Sequence, residues 1–177
     1  MIFVTGGTGL VGSHILLQLS QEGIPFKALK RSSSSLNVCK QVFFEYNQEE
    51  LFLRINWVDG DINDIPSLEI AIQDCEYVLH CAAIVSFNSS EKELLKIVNI
   101  EGTANVMNVA LNSSVRKVGY VSSIAALGRN STEGIVNEDC YFIATKLESN
   151  YALTKYYAEK EVWRASQEGL DVVIINP

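Results

Sequence analysis

The sequence has no run of 18 or more apolar residues, so a membrane-spanning helix is not expected. Its start, MIFVTGG, leads directly into a structural motif, and the reading therefore expects no signal peptide. Positive charge is scarce. With 14 Lys and Arg against 21 Asp and Glu, the net charge is −7, and the only basic clusters are Lys27/Lys30/Arg31 and Arg116/Lys117. Neither is long enough to neutralise a polyanion, which argues against a nucleic-acid groove. The four cysteines (Cys39, Cys75, Cys81 and Cys140) form no C-x-x-C pair and no metal-ligand spacing. Reduced thiols in a cytoplasmic protein, with no metal, are the expectation. Only three prolines are present, and there is no repeat, low-complexity tract or linker beyond the short polar SSSS at 32–35. At 177 residues with 47% apolar content, one domain with a sizeable core is expected over residues 1–177.

Alternation fills what remains. IFVT (2–5), FKALK (26–30), INWVDGD, YVLHCAA (77–83), KVGYVSS (117–123) and DVVIIN (171–176) read as six buried strands. Between them lie helical stretches at about Leu10–Gln21, Leu36–Tyr46, PSLEIAIQD with Pro66 at its start, Glu91–Leu111 and Tyr151–Glu168, the last closed by Gly169. Continuous apolar strands separated by helices imply a parallel sheet covered on both faces. The expected fold is α/β, a doubly wound Rossmann sheet of order 3-2-1-4-5-6, with ligands at the carboxyl ends of its strands.

TGGTGLVGSH (5–14) follows the first strand and opens the first helix. Two glycine registers fit, Gly6/Gly9/Gly12 and Gly7/Gly9/Gly12, and both allow a tight turn with backbone close to a pyrophosphate at a helix N-terminus. Gly6, Thr8, Gly9, Leu10, Val11 and Gly12 are the candidate phosphate-binding residues. The end of the second strand would carry an acid in an NAD site; here it carries Lys30, Arg31 and Ser32, with no acid between Glu22 and Glu45. A guanidinium and a hydroxyl suit a 2′-phosphate, which favours NADP(H) over NAD(H). Asp61 and Ile62, after the third strand, are placed to meet an adenine amino group and ring.

YALTK (151–155) sets a phenol and an ammonium one helical turn apart. Together with TGGTGLVGSH, GDI (60–62), HCAA (80–83), NIEGTANV (99–106), YVSSIAALG (120–128) and the final INP, it resembles the extended short-chain dehydrogenase/reductase family. This is the group of nucleotide-sugar epimerases, dehydratases and dihydroflavonol reductases. The basic residues after the second strand and SSIAALG lean toward the reductase side. The resemblance implies hydride transfer between a nicotinamide and a carbonyl or secondary alcohol, with Tyr151 as the proton-transfer group. A free phenol titrates near ~10, and an ammonium one turn away would stabilise the phenolate. The resemblance further implies that Lys155 holds the nicotinamide ribose and Ser123 the substrate oxygen, with Ser122 the alternative because the serine pair leaves the register open. Ala82 and Ala83 would floor the cofactor site, and Pro177 would also be cofactor-binding.

Asn99 reads as structural or water-holding, His80 as a satisfied core histidine, and His14 as packing or capping. Val162 and Trp163 are expected in the core or at a homodimer surface, since the family often pairs two long helices into a four-helix bundle. Two other functions stand beside the reductase: a nucleotide-sugar epimerase or dehydratase holding NAD, and a non-catalytic NADP-binding sensor or scaffold. Family members typically exceed 300 residues. The chain stops at Pro177, so the C-terminal substrate-binding lobe is read as absent and turnover by this polypeptide as weak or absent. The loop from Arg129 to Asn150 holds no motif that names a substrate.

Overall fold

A computed structural model describes residues 1–128, 136–145 and 148–177. Six parallel strands form one sheet in the order β3-β2-β1-β4-β5-β6. They are β1 (Ile2–Thr5), β2 (Phe26–Lys30), β3 (Trp57–Asp59), β4 (Tyr77–His80), β5 (Lys117–Val121) and β6 (Asp171–Ile175). β1 is central, pairing Val4 with Ala28 on one side and Leu79 on the other. Strand order reverses between β1 and β4, so their ends, Thr5 and His80, open the crevice in which such sheets bind ligands.

Successive strand residues face opposite layers. Phe3, Val78, Val118 and Tyr120 join a core with α4 (Ile65–Ala71), α6 (Gly102–Leu111) and α7 (Asn150–Gln167). Val4 and Ala28 join a second core with α1 (Leu10–Gln21) and α2 (Asn37–Glu45), against which the short α3 (Glu49–Phe52) also packs. Beyond β4 this second layer thins: Val173 and Ile175 of β6 are about half exposed. Val162 is a core residue, whereas Trp163 is 54% exposed on the outer side of α7. Cys39 and Cys75 are buried free thiols. Among the described residues no helix is long and apolar enough to cross a membrane.

Local chemistry sets the element ends. α4 starts with proline in its first turn. α7 ends where Gly169 adopts φ +108°, letting the Leu170 N–H reach back to the Ala165 carbonyl at 3.0 Å. The helical stretch expected over Glu91–Leu111 is one path with an irregular middle. α5 (Lys92–Leu95) leads into a π-helical segment, Lys96–Glu101, and then α6. Such a widened turn inserts an extra residue and rotates its side chains; Asn99, within it, is 1% exposed.

Candidate active site

A groove runs along the carboxyl edge of β1–β4, lined by Gly6, Thr8 and Gly9, by Lys30, Arg31 and Ser34, by Gly60 to Asn63, and by Cys81 to Ile84. The glycine turn is shaped by contacts that leave no room for side chains. Gly6 has φ +73°, and a Cβ there would lie 2.5 Å from the Ala82 nitrogen. At Gly12 a Cβ would lie 2.2 Å from the Gly6 carbonyl oxygen, so this glycine lets α1 close onto the turn. Gly9 is the N-cap of α1; no side chain caps the helix and no acid stands in its first turn. Its leading amides are therefore left for an anion. Leu10 and Val11 contribute those amides while their side chains are exposed.

At the end of β2 the two cations have different surroundings. Lys30 Nζ is 2.5 Å from Asp59 Oδ1. Arg31 lines the groove, is exposed, and makes no ion pair among the described residues. The serine that accompanies it is Ser34, not the expected Ser32, which is exposed outside the lining. A turn explains the exchange: Ser34 N–H donates to the Arg31 carbonyl at 2.9 Å, and Ser34 Oγ accepts from the Arg31 N–H at 3.2 Å. The Ser34 hydroxyl proton remains available to an incoming acceptor. Asp61 Oδ1 accepts from the Asn63 N–H at 2.9 Å. Ile62 is buried, with its side chain against Gly102. Ala82 and Ala83 are part of the groove's lining.

α7 carries the phenol and ammonium; neither lines the groove, and Lys155 acts on it through Cys81. Ser149 caps the helix by accepting from the Ala152 N–H at 3.1 Å. Tyr151 is half-buried with its ring edge-on to Phe87 at 6.2 Å. Lys155 is 1% exposed. Its ammonium donates to the Tyr120 hydroxyl at 2.7 Å and the Val121 carbonyl at 2.9 Å. Burial pulls its pKa down to about 8, opposed by the charge of Glu159. Burial pushes the Cys81 thiol up to about 12, against the pull of Lys155, so this ammonium lies within electrostatic reach of a groove residue. The Tyr120 phenol, sealed beside it, is likewise pushed up by burial.

The serine pair separates by exposure. Ser123 is half-buried, and its Oγ accepts from the Ala125 N–H at 3.2 Å, leaving its proton to donate outward. Ser122 Oγ is sealed, with no hydrogen-bond partner among the described residues. Pro177 is exposed, and its carbonyl accepts from the Ile124 N–H at 3.2 Å. The Arg129–Asn150 loop is described only at 136–145 and 148–150; residues 129–135 and 146–147 lie outside the described residues.

Asn99 and both histidines have structural surroundings. Asn99 Nδ2 donates to the Ile84 carbonyl at 3.0 Å and Thr154 Oγ1 at 3.1 Å, while its Oδ1 accepts from the Ile84 N–H. It ties the segment after β4 to α7. His80 is fully buried between two threonines, and His14 is exposed with its ring edge-on to Tyr46 at 5.7 Å. Sequence reading missed Tyr120 as the partner of Lys155, and it missed Ser34. The clue to Tyr120 was the buried-strand setting of YVSS; Ser34 left none within a run of four serines. Among the described residues no group of His, Cys, Asp or Glu could hold a metal ion.

A family model described as the NAD dependent epimerase/dehydratase family matches residues 2–177. A Synechocystis protein named as a candidate dihydroflavonol 4-reductase is 35% identical over 99% of this chain and 48% of its own length. Anthocyanidin reductase of Arabidopsis thaliana is 32% identical over 98% of this chain and 54% of its own. Among solved structures, a short-chain dehydrogenase/reductase superfamily protein from Agrobacterium tumefaciens with bound NAD superposes with a TM-score of 0.78. It is 26% identical, over 99% of this chain and 48% of that one. The chain spans about half the length of the curated relatives it matches.

Proposed function

Because the chain belongs to the NAD dependent epimerase/dehydratase family, we propose that it supplies the dinucleotide-binding part of an NADP-dependent oxidoreductase acting on a carbonyl or secondary alcohol. The observation that carries this reading is Lys155: an ammonium buried without a salt-bridge partner among the described residues, one turn from Tyr151 and beside the groove. Burying an unpaired charge is costly, and groups perturbed in this way cluster at functional sites.

The residues present fit the cofactor. The amides of the glycine turn and α1 would hold the diphosphate, Arg31 and Ser34 a 2′-phosphate and Asp61 the adenine amino group, while Ala82 and Ala83 would leave room for the flat ring. The nicotinamide, when bound, supplies or accepts the hydride. Around it, Ser123 donates its free proton to the substrate oxygen, holding the carbonyl in place. Tyr151 gives the proton that completes the alcohol, or takes it in the reverse direction. Lys155 lends positive charge to the phenolate left behind.

Cofactor choice tests the β2 end. Fluorescence titration of this chain is expected to show tighter binding of NADPH than of NADH. Arg31→Ala should weaken NADPH by about 10–100-fold, the range of a lost charge-assisted pair, and leave NADH nearly unchanged. Ser34→Ala should act in the same direction by a smaller factor, and Ser32→Ala should not act. An NADPH preference that survives Arg31→Ala would overturn the assignment.

A further inference from the structure

His80 ends β4 with its ring fully buried and both nitrogens engaged. Nδ1 lies 2.6 Å from Thr5 Oγ1, and Nε2 lies 3.0 Å from Thr103 Oγ1. Proton counting fixes which nitrogen carries the hydrogen. Thr103 Oγ1 has one proton, and it goes to the Asn99 carbonyl at 2.6 Å, since a carbonyl can only accept. Toward His80, Thr103 must therefore accept, so Nε2 bears the hydrogen. Nδ1 then presents a lone pair, and Thr5 donates into it. Thr5 Oγ1 in turn accepts from the Ala82 N–H at 3.3 Å. Every bond in this path points the same way, from Ala82 through Thr5, His80 and Thr103 to the Asn99 backbone.

Both ends of the path matter to the groove. Ala82 is in its floor, and the Cys81–Ala82 peptide is in near contact with Gly6. The Asn99 side chain holds Ile84 and Thr154, and the Thr154 hydroxyl donates to the Tyr151 carbonyl at 2.8 Å. In the middle, the His80 ring stacks on Tyr120 at 5.4 Å and 30°, and Tyr120 is the hydroxyl that receives the Lys155 ammonium. A single buried ring thus touches the supports of the glycine turn, of Lys155 and of the Tyr151 helix.

We propose that His80, as its uncharged Nε2–H tautomer, is a positioning residue that keeps the groove floor and the Tyr151/Lys155 helix in mutual register. The register is functional only if the groove takes a dinucleotide, so that half of the inference rests on the reading above. The groups acting on the ring are the hydroxyls of Thr5 and Thr103, the face of Tyr120, and the Lys155 charge, which opposes a second positive charge nearby. Burial first, and then that charge, push His80 down to about 3. Neutrality across the physiological range preserves the path.

Long-range proton–nitrogen spectra of the His80 ring test the tautomer without any cofactor. The expected pattern is a neutral ring protonated at Nε2, unchanged from pH 8 to 5. Protonation at Nδ1, or titration near the free value of ~6.5, would overturn the path. Coupling to the groove is tested by NADPH titration of variants. Thr103→Val keeps the side-chain shape and removes the hydroxyl; it should weaken NADPH about tenfold, as should His80→Phe, which keeps a ring against Tyr120. Thr103→Ser restores the hydroxyl and should restore binding. Val106→Ala, in the same core, provides a matched loss of stability with the path intact, and its affinity should stay within twofold of the unaltered chain. Equal weakening by Val106→Ala, or no weakening by Thr103→Val, would overturn the positioning role. Absence of NADPH binding by the unaltered chain would overturn the dinucleotide reading and the positioning role with it; the ring spectrum judges the tautomer separately.

Discussion

Replacing Tyr151 with Phe is expected to cut carbonyl reduction by about 10²–10⁴-fold, the usual contribution of a positioned proton donor, while NADPH affinity stays within about twofold. The change deletes one oxygen. The ring keeps its contact with Phe87, the Ser149 cap remains, and the Thr154 bond to the residue 151 carbonyl does not depend on the side chain. Lys155 is held by Tyr120 and Val121, so its position does not require the Tyr151 hydroxyl. Binding and chemistry should therefore separate. The measurement is NADPH oxidation across a panel of carbonyl compounds by a polypeptide of the relatives' length, with fluorescence titration of this chain in parallel. A loss of turnover below about fivefold would remove Tyr151 from the reaction. A matched loss of cofactor affinity would make it a binding residue instead.

Lys155→Met is expected to raise stability at pH 7 by about 1–2 kcal/mol, the opposite of most core substitutions. Burial holds Lys155 at about 8, where a free lysine titrates at 10.5. At 1.36 kcal/mol per pH unit, carrying this charge costs the folded state about 3 kcal/mol at any pH below 8. Methionine keeps an apolar stem of similar length but leaves the Tyr120 hydroxyl and Val121 carbonyl without their donor, returning about 1–2 kcal/mol of that gain. The sign with pH follows from a folded pKa lower than the unfolded one. Between pH 8 and 10.5 the unfolded chain holds the proton that the folded chain has released, so the lysine protein gains stability relative to the variant as pH rises. Cys81 and Tyr120 act the other way, because burial raises both and the unfolded chain ionises them first. Losing Lys155 would only raise Cys81 further, so both groups stay protonated in either folded protein at pH 7 and 9.5, and their effect cancels in the difference. Urea unfolding at pH 7 and pH 9.5 should show the variant's advantage shrinking. A variant less stable by the same amount at both values would mean that the ammonium carries no burial penalty. A fold that keeps such a group gives up stability to hold a buried charge.

The sheet and its order were legible because buried parallel strands are short apolar runs, and the helices between them have a different period. The glycine turn was legible because it stood between a strand and a helix. α3 escaped, being only four residues long. The π-helical segment escaped because one inserted residue in a 20-residue helical pattern barely alters its apolar spacing, though it decides where Asn99 points. Ser34 was hidden by its identical neighbours: a serine run contains no register until a turn closes around Arg31. Tyr120 lies 35 residues before Lys155, and no local rule links a strand phenol to a helical ammonium. Proximity in the chain revealed the Tyr151–Lys155 pair; only folding revealed what holds it.

The unequal fates of Lys30 and Arg31 bear on ionic strength. Lys30 spends its charge on Asp59 across neighbouring strands, whereas Arg31 faces water with no ion pair among the described residues. At 0.15 M salt the screening length is about 8 Å, and near 1 M it falls to about 3 Å. Dissolved ions therefore weaken the exposed guanidinium's pull on a phosphate before they disturb steric contacts in the groove. Raising potassium chloride from 0.05 to 0.5 M should narrow the gap between NADPH and NADH affinities, mainly through loss on the NADPH side; a gap indifferent to salt would mean that discrimination is made by shape.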